Sequence, residues 1–287
     1  MSGISVFAKA RAGLAAVLLL ALAAPAQAAP LSWTDWADLA LSSSVVISGS
    51  VADIDRFSRR QAPDVPPGEV RALVRVDLRS ALRSPVILPE GAAWMWQGEA
   101  DRRGRPPFAR SDRVFAFARL LSGGARPEVQ ALELVSADGQ QPWTEETDAL
   151  VRAILIEARK PGMADLMATG VDNGFRSVGA VPGASVSQYF LHTGNGQPLV
   201  LVVRRRAGQQ MPEILASTGD LIDNAEPVRA ETLVWRALAC GLPEQLPSAL
   251  AGDLGLADDY LIARLSIGDC GRTRTPPVPE ASLPPAN

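Results

Sequence analysis

The sequence predicts an α+β protein in which a small β-barrel or sandwich is followed by a smaller α+β domain with an antiparallel hairpin sheet and helices. Three observations carry this. The first half holds about six short β-rich runs at hairpin-like intervals. Helical patterning becomes prominent only after Trp143. The two halves are bracketed by an apolar leader and a proline-rich end. Of 287 residues, 47% are hydrophobic and 21% charged, a globular balance.

The leader comes first. Lys9 and Arg11 precede an uncharged apolar run, Gly13 to Ala24, and Ala26-Gln27-Ala28 follows with small residues at the positions a signal peptidase reads. A spanning helix needs about 20 apolar residues, so residues 1–28 read as a signal peptide cleaved near Ala28. No later segment reaches spanning length. The expected location is the periplasm or the cell exterior. Cleavage removes two cations and no acid, taking the formal charge from -3 to -5. Nucleic acid is thereby disfavoured as a partner, because phosphate neutralisation needs a basic surface.

Residues 29–143 read as the first of two domains, and it is β-rich. Ser32-Trp33-Thr34-Asp35 has a capping-box pattern opening a short helix that ends near Ser43. Val45 to Val51 is a β-branched run. Gln61 to Gly68 carries three prolines and reads as a loop. Val70, Ala72, Val74, Val76 and Leu78 alternate with period two. Further strands are expected at Val86–Leu88, Ala93–Gln97, Val114–Leu120 and Val129–Val135.

Residues 144–271 read as the second, α+β domain. Thr144 caps a helix with Glu145 and Glu146 in its first turn and Arg152, Arg159 and Lys160 toward its end, an order that complements the helix dipole. Pro161-Gly162 stops it. Arg176–Val181, Ser185–Thr193 and Leu199–Arg205 read as strands, the last two joined at Gly194-Asn195-Gly196. A helix is expected from Pro227 to about Cys240. Residues 272–287, with five prolines from Thr273 on, read as a disordered tail.

The helix before Val45–Val51, the Val70–Leu78 strand, and the later Val114–Leu120 strand and helix resemble in order the netrin-type members of the OB fold, found in tissue inhibitors of metalloproteases. The cysteines of that family are absent here. The resemblance implies a barrel and, as one functional expectation, a protease-inhibitor-like module. Val181-Pro182-Gly183, Tyr189-Phe190-Leu191 and the Trp235 helix ending at Cys240 resemble uncharacterised exported proteins of Gram-negative bacteria, which implies no activity.

The residue inventory restricts chemistry. Cys240 and Cys270 are the two cysteines, and in an oxidising compartment they are expected to form one disulfide. No CxxC exists for redox work. With one histidine, His192, a histidine-rich zinc site is excluded, and zinc on Cys240, Cys270 and His192 would compete with the disulfide. Lys160 is the sole lysine after the leader. Ser185, preceded by Gly183-Ala184, approaches a nucleophile motif without its final glycine, with His192 seven residues on. In a straight strand that odd separation puts the two side chains on opposite faces. Asp172-Asn173-Gly174 and Asp258-Asp259 offer oxygen ligands for calcium, but the first suits a turn and the second a helix start. No cofactor and no metal is expected.

Two cationic clusters remain. Arg102, Arg103, Arg105, Arg110 and Arg113 lie in a Pro/Gly-punctuated loop, and Arg204-Arg205-Arg206 ends a strand. Guanidinium forks suit phosphates and carboxylates. Trp94 and Trp96 share one strand face, as core or as a sugar platform. The expectation is a non-catalytic binding module for an anionic envelope component, using the five loop arginines. A hydrolase built on carboxylates or on Ser185 and His192 is the rival.

Overall fold

The computed structural model describes residues 30–121, 128–219 and 224–277. The expected signal peptide, residues 1–28, and residues 278–287 of the expected tail lie outside these.

The chain opens with helix α1 (Trp33–Leu41), fixed by the capping box: the Ser32 hydroxyl accepts the Asp35 N–H, and the Asp35 carboxylate accepts the Ser32 N–H at 2.8 Å. Five strands follow: β1 (Val45–Arg56), β2 (Glu69–Arg83), β3 (Gly91–Glu99), β4 (Arg113–Leu120) and β5 (Val129–Leu134). β1 pairs antiparallel with both β2 and β4, β2 with β3, and β4 with β5, while β3 and β5 run parallel. The order β1-β2-β3-β5-β4 thus returns to β1 and closes a five-stranded OB-like barrel. A short strand β6 (Gln140–Pro142) pairs antiparallel with the start of β4. Gly49 permits a close approach of two strand backbones in this barrel, because a Cβ there would stand 2.8 Å from the Asp77 carbonyl oxygen. The barrel interior is filled by Ile47, Val74, Val76, Trp94, Trp96, Ala116 and Leu132. Both tryptophans are core, and the Trp94 indole N–H donates to Gln140 Oε1 at 2.8 Å.

After β6 come α2 (Glu145–Glu157), β7 (Ala168–Val178), β8 (Ser185–Thr193), β9 (Leu199–Arg205), β10 (Glu213–Ser217), β11 (Glu226–Pro227), α3 (Leu233–Gly241), α4 (Ser248–Ala251) and α5 (Leu254–Ile267). β7 to β11 form one antiparallel sheet in the order β11-β10-β9-β8-β7. Alternate β8 and β9 residues, among them Tyr189, Leu191, Leu201 and Val203, enter a core that also holds Trp36 and Leu39 of α1, Phe115 and Phe117 of β4, Ile154 of α2, Leu238 of α3 and Tyr260 of α5. One core therefore serves the segments on both sides of Trp143. Cys240 and Cys270 are disulfide-bonded and link the end of α3 to the chain beyond α5.

Several expectations are corrected. Val86–Leu88 is the turn of the β2–β3 hairpin, not a strand, because Pro85 and Pro89 remove donors on either side. Asp172-Asn173-Gly174 lies inside β7 as a bulge, not in a turn. Pro227 ends β11, and the next helix starts at Leu233 with Thr232 as its N-cap. Asp258 and Asp259 sit within α5, whose cap is Asp253. Arg159 and Lys160 lie past the last residue of α2. The chain after Cys270 is fastened rather than loose: Arg272 pairs with the buried Asp38 at 2.6 Å, and the Thr273 and Arg274 N–H groups each donate to Asp35 at 3.0 Å.

Candidate functional site: the arginine loop and its cleft

The loop from residue 100 to 112 joins β3 to β4 at one end of the barrel, and Asp101 organises its tip. One carboxylate oxygen accepts the N–H groups of both Arg103 and Arg105 at 2.8 Å. The Asp101 N–H donates to the Arg105 carbonyl at 2.7 Å, and Gly104 takes a φ of +70°, which glycine adopts without strain. The N–H of Arg105, helped by that of Arg103, holds the Asp101 carboxyl below the usual carboxylate range. One oxygen of this acid is thus spent on the loop's own backbone. Asp112 behaves likewise, accepting the Ala109 N–H at 2.8 Å. Its neighbour Ser111 is held at a φ of +72°, a conformation costly for a side-chain-bearing residue, by pairing with Val51.

Between this loop and the end of β1 lies an open cleft of about 540 Å³. Arg56 and Arg105 line it together with the acids Asp101 and Asp112, and Ile54, Pro106, Pro107 and Phe108 form its apolar wall. Phe108 anchors the wall by packing edge-on to Trp96, with ring centroids 5.1 Å apart. The Arg56 guanidinium reaches the Gly104 carbonyl at 3.4 Å.

The five predicted arginines separate into two groups. Arg102 and Arg103 stand at the exposed tip, and neither has an ion pair among the described residues. Arg105 lies beside them, 3.6 Å from Asp101. Arg110 instead pairs with Asp53, whose other oxygen takes Arg75 at 2.7 Å, and the hydrogen bond from Arg110 is the main reason the Asp53 carboxyl is lowered. Arg113 stacks on Trp143, its guanidinium carbon 3.1 Å from the ring centroid. Sequence reasoning missed Arg56 and Ile54, because the strand was expected to end at Val51. The alternation Ile54-Asp55-Arg56 was the available signal.

The other candidates do not assemble. Ser185 opens β8 and is buried, accepting from Arg176 at 3.1 Å. His192 is exposed seven residues along the same strand, about 23 Å away by strand rise. Arg205 is committed to the buried Asp259, and Arg204 and Arg206 face Glu213 at 3.7 and 3.1 Å. Among the described residues no group of three or more His, Cys, Asp or Glu is placed to hold a metal ion. No helix among the described residues is long and apolar enough to cross a membrane.

A second cleft, of about 630 Å³, lies on β3 and β5 over Met95, Leu121, Leu132 and Leu134. Glu69, Glu99 and Glu133 border it, and Glu69 and Glu99 are direct cross-strand partners. Glu69 accepts from the Gln97 amide at 2.8 Å, and Gln97 in turn accepts from Arg71 at 2.7 Å.

No family model matches the sequence, and no curated protein matches it. Among solved structures, one similar chain is the single-stranded DNA binding protein of Thermus aquaticus. It is 12% identical, with 65% of this chain and 95% of that chain covered and a TM-score of 0.20. Agreement at that level carries no argument here, and the OB-like character of the barrel rests on its own strand order and pairing.

Proposed function

We propose that this chain is an exported, non-catalytic binding protein that receives an anionic component of the bacterial envelope at the Arg56–Arg105 cleft. One observation carries the reading. The acids that line the cleft, Asp101 and Asp112, accept backbone N–H groups of the loop, and Asp101 also faces Arg105 at 3.6 Å, while Arg102 and Arg103 beside it have no ion-pair partner among the described residues. Guanidinium groups beside an apolar wall suit a ligand with a carboxylate or phosphate and an uncharged body. The disulfide and the leader-like sequence of residues 1–28 support export to the periplasm or beyond.

The test is calorimetric titration of the mature chain with pyrophosphate, a trigalacturonate and a hexaglutamate peptide, beside the R102E/R103E variant. Binding by the parent that weakens about tenfold or more in the variant is expected, as charge-assisted hydrogen bonds are lost. Equal binding by both, or none by the parent, rejects the reading. The second cleft favours one alternative, a carboxylate-based glycoside hydrolase using Glu69, Glu99 or Glu133. Turnover of oligosaccharides that is abolished by E99Q or E133Q would support it.

A further inference from the structure

Most strand edges of this molecule are protected. The barrel closes on itself, β6 is three residues long and ends at Pro142, and β11 is two residues long and ends at Pro227. β7 differs. It is the outermost strand of the second sheet, runs 11 residues, and contains neither lysine nor proline. Proteins usually shorten, charge or interrupt such an edge, because its unpaired backbone groups template another strand.

Part of β7 is nonetheless closed. Gly241 at the end of α3 lies so near Ala168 that a Cβ there would stand 2.0 Å from the Ala168 carbonyl oxygen. The bulge at Asp172 interrupts the next stretch. Asn173 to Val178 is left open. The Gly174 N–H is met by the Asn173 side-chain oxygen at 2.8 Å, a local acceptor in place of a neighbouring strand's carbonyl. Around this stretch stand exposed apolar side chains: Phe175 at 46%, Val178 at 72% and Val181 at 57%. Leu254 at 78% flanks it, since the adjoining Gly255 lies against the Arg176 side chain.

We propose that Asn173–Ser177 pairs antiparallel with the same segment of a second copy of this chain, centred on Phe175, so that two five-stranded sheets become one of ten strands. The segment is complementary to itself about that centre. Phe175 meets its twin, and Asn173 meets the second copy's Ser177, an amide opposite a hydroxyl. Phe190 already stacks on Phe175, with centroids 5.9 Å apart, so the pairing builds a row of four rings on the outer sheet face. Charge also favours a copy of this chain. Arg176 is the one charged residue of the segment, and it turns inward to Asp259 at 3.3 Å, so no like charges are brought face to face.

Sedimentation velocity over a concentration series tests this with the intact mature chain. A reversible dimer is expected, weakened about tenfold or more by F175K, which places like charges opposite each other. Phe175 is half-exposed, so an unchanged melting temperature is expected to accompany the loss. In a separate N173C/S177C variant, oxidation should give a covalent dimer, because the two positions lie about 13 Å apart within one strand, beyond disulfide reach. A parent that is monomeric at every concentration, a dimer indifferent to F175K, or failure of the cysteine pair to cross-link would each overturn the proposal. Capture of an extended segment of another protein at this edge by a monomeric parent would assign the edge to that segment instead.

Discussion

The Nε of Arg205 donates to the Asp259 carboxylate at 2.6 Å, joining β9 to α5 across 54 residues of sequence. The Asp259 side chain is 1% exposed and also takes Arg176 at 3.3 Å and the hydroxyl of Ser187. A buried carboxylate with two guanidinium partners adds little net stability when complete, but removing one member strands the others. D259A should therefore cost about 3–5 kcal/mol in urea unfolding, toward the lower figure because both arginines keep partial access to water. A loss below about 1 kcal/mol would show that water replaces the carboxylate at no consequence.

Gly241 offers a steric test. Its neighbour is backbone, the Ala168 carbonyl, which cannot rotate away as a flexible side chain could. G241A should cost about 3 kcal/mol, at the upper end for overpacking, by forcing α3 away from β7. Gly252 follows α4 with no heavy atom within 4 Å of its Cβ position and an ordinary φ of -69°. G252A should be neutral or stabilising by up to about 1 kcal/mol. Similar thermal midpoints for the two variants would contradict the close approach of α3 to β7.

Much of the barrel was legible in the sequence because half-buried strands write their period into it. Val70 to Leu78 alternates cleanly, and β2 lies there. In the second sheet, Leu199–Arg205 was legible from the Gly194-Asn195-Gly196 turn before it. What escaped has a physical cause. α5 carries Leu254, Leu261 and Leu265 in water and Asp259 in the core, so its pattern inverts the usual rule. Asp35 was legible only as a capping residue and Asp38 not at all, yet both are buried, because their partners Arg236, Arg272 and Thr273 arrive from more than 190 residues away. The candidate site was half legible. The cluster of arginines is visible, but spacing alone could not tell that Arg110 and Arg113 are taken by Asp53 and Trp143.

The segment after the disulfide is held by a titratable clasp. Burial would raise the Asp35 carboxyl, but the hydroxyl of Thr273 and the donors of Ser32 outweigh it and hold the group below its ordinary value of 3.8. For a carboxyl lowered in the folded state, the stabilisation is complete above the ordinary value and is lost as pH falls through the folded one. The amide resonances of Thr273 and Arg274, both bonded to Asp35, should shift together on acidification with a midpoint below 3.8. In T273A that midpoint should rise toward the ordinary value. A midpoint at or above it in the parent would mean that the clasp does not favour the ionised acid.

The two tyrosines of the chain report on the core at the opposite pH extreme. Tyr189 and Tyr260 lie 5.3 Å apart, and their hydroxyls donate to the carbonyls of Leu256 at 2.6 Å and Pro243 at 2.8 Å. Burial pushes the Tyr260 phenol up to about 12, and burial, with the charge of Asp259 adding to it, raises Tyr189 as well. A phenolate in either place would lose both its water and its acceptor, so each ring stays protonated while the fold holds. The unfolded chain ionises both near the ordinary value of 10, so this contribution to stability is whole below that pH and is lost as pH climbs toward 12. Absorbance at the phenolate band should accordingly show at most about a tenth of the rings ionised in the native protein at pH 11 and about nine-tenths in urea at the same pH. A native phenolate signal with a midpoint near 10 would place at least one ring in contact with solvent, and with it the seam between β8 and α5.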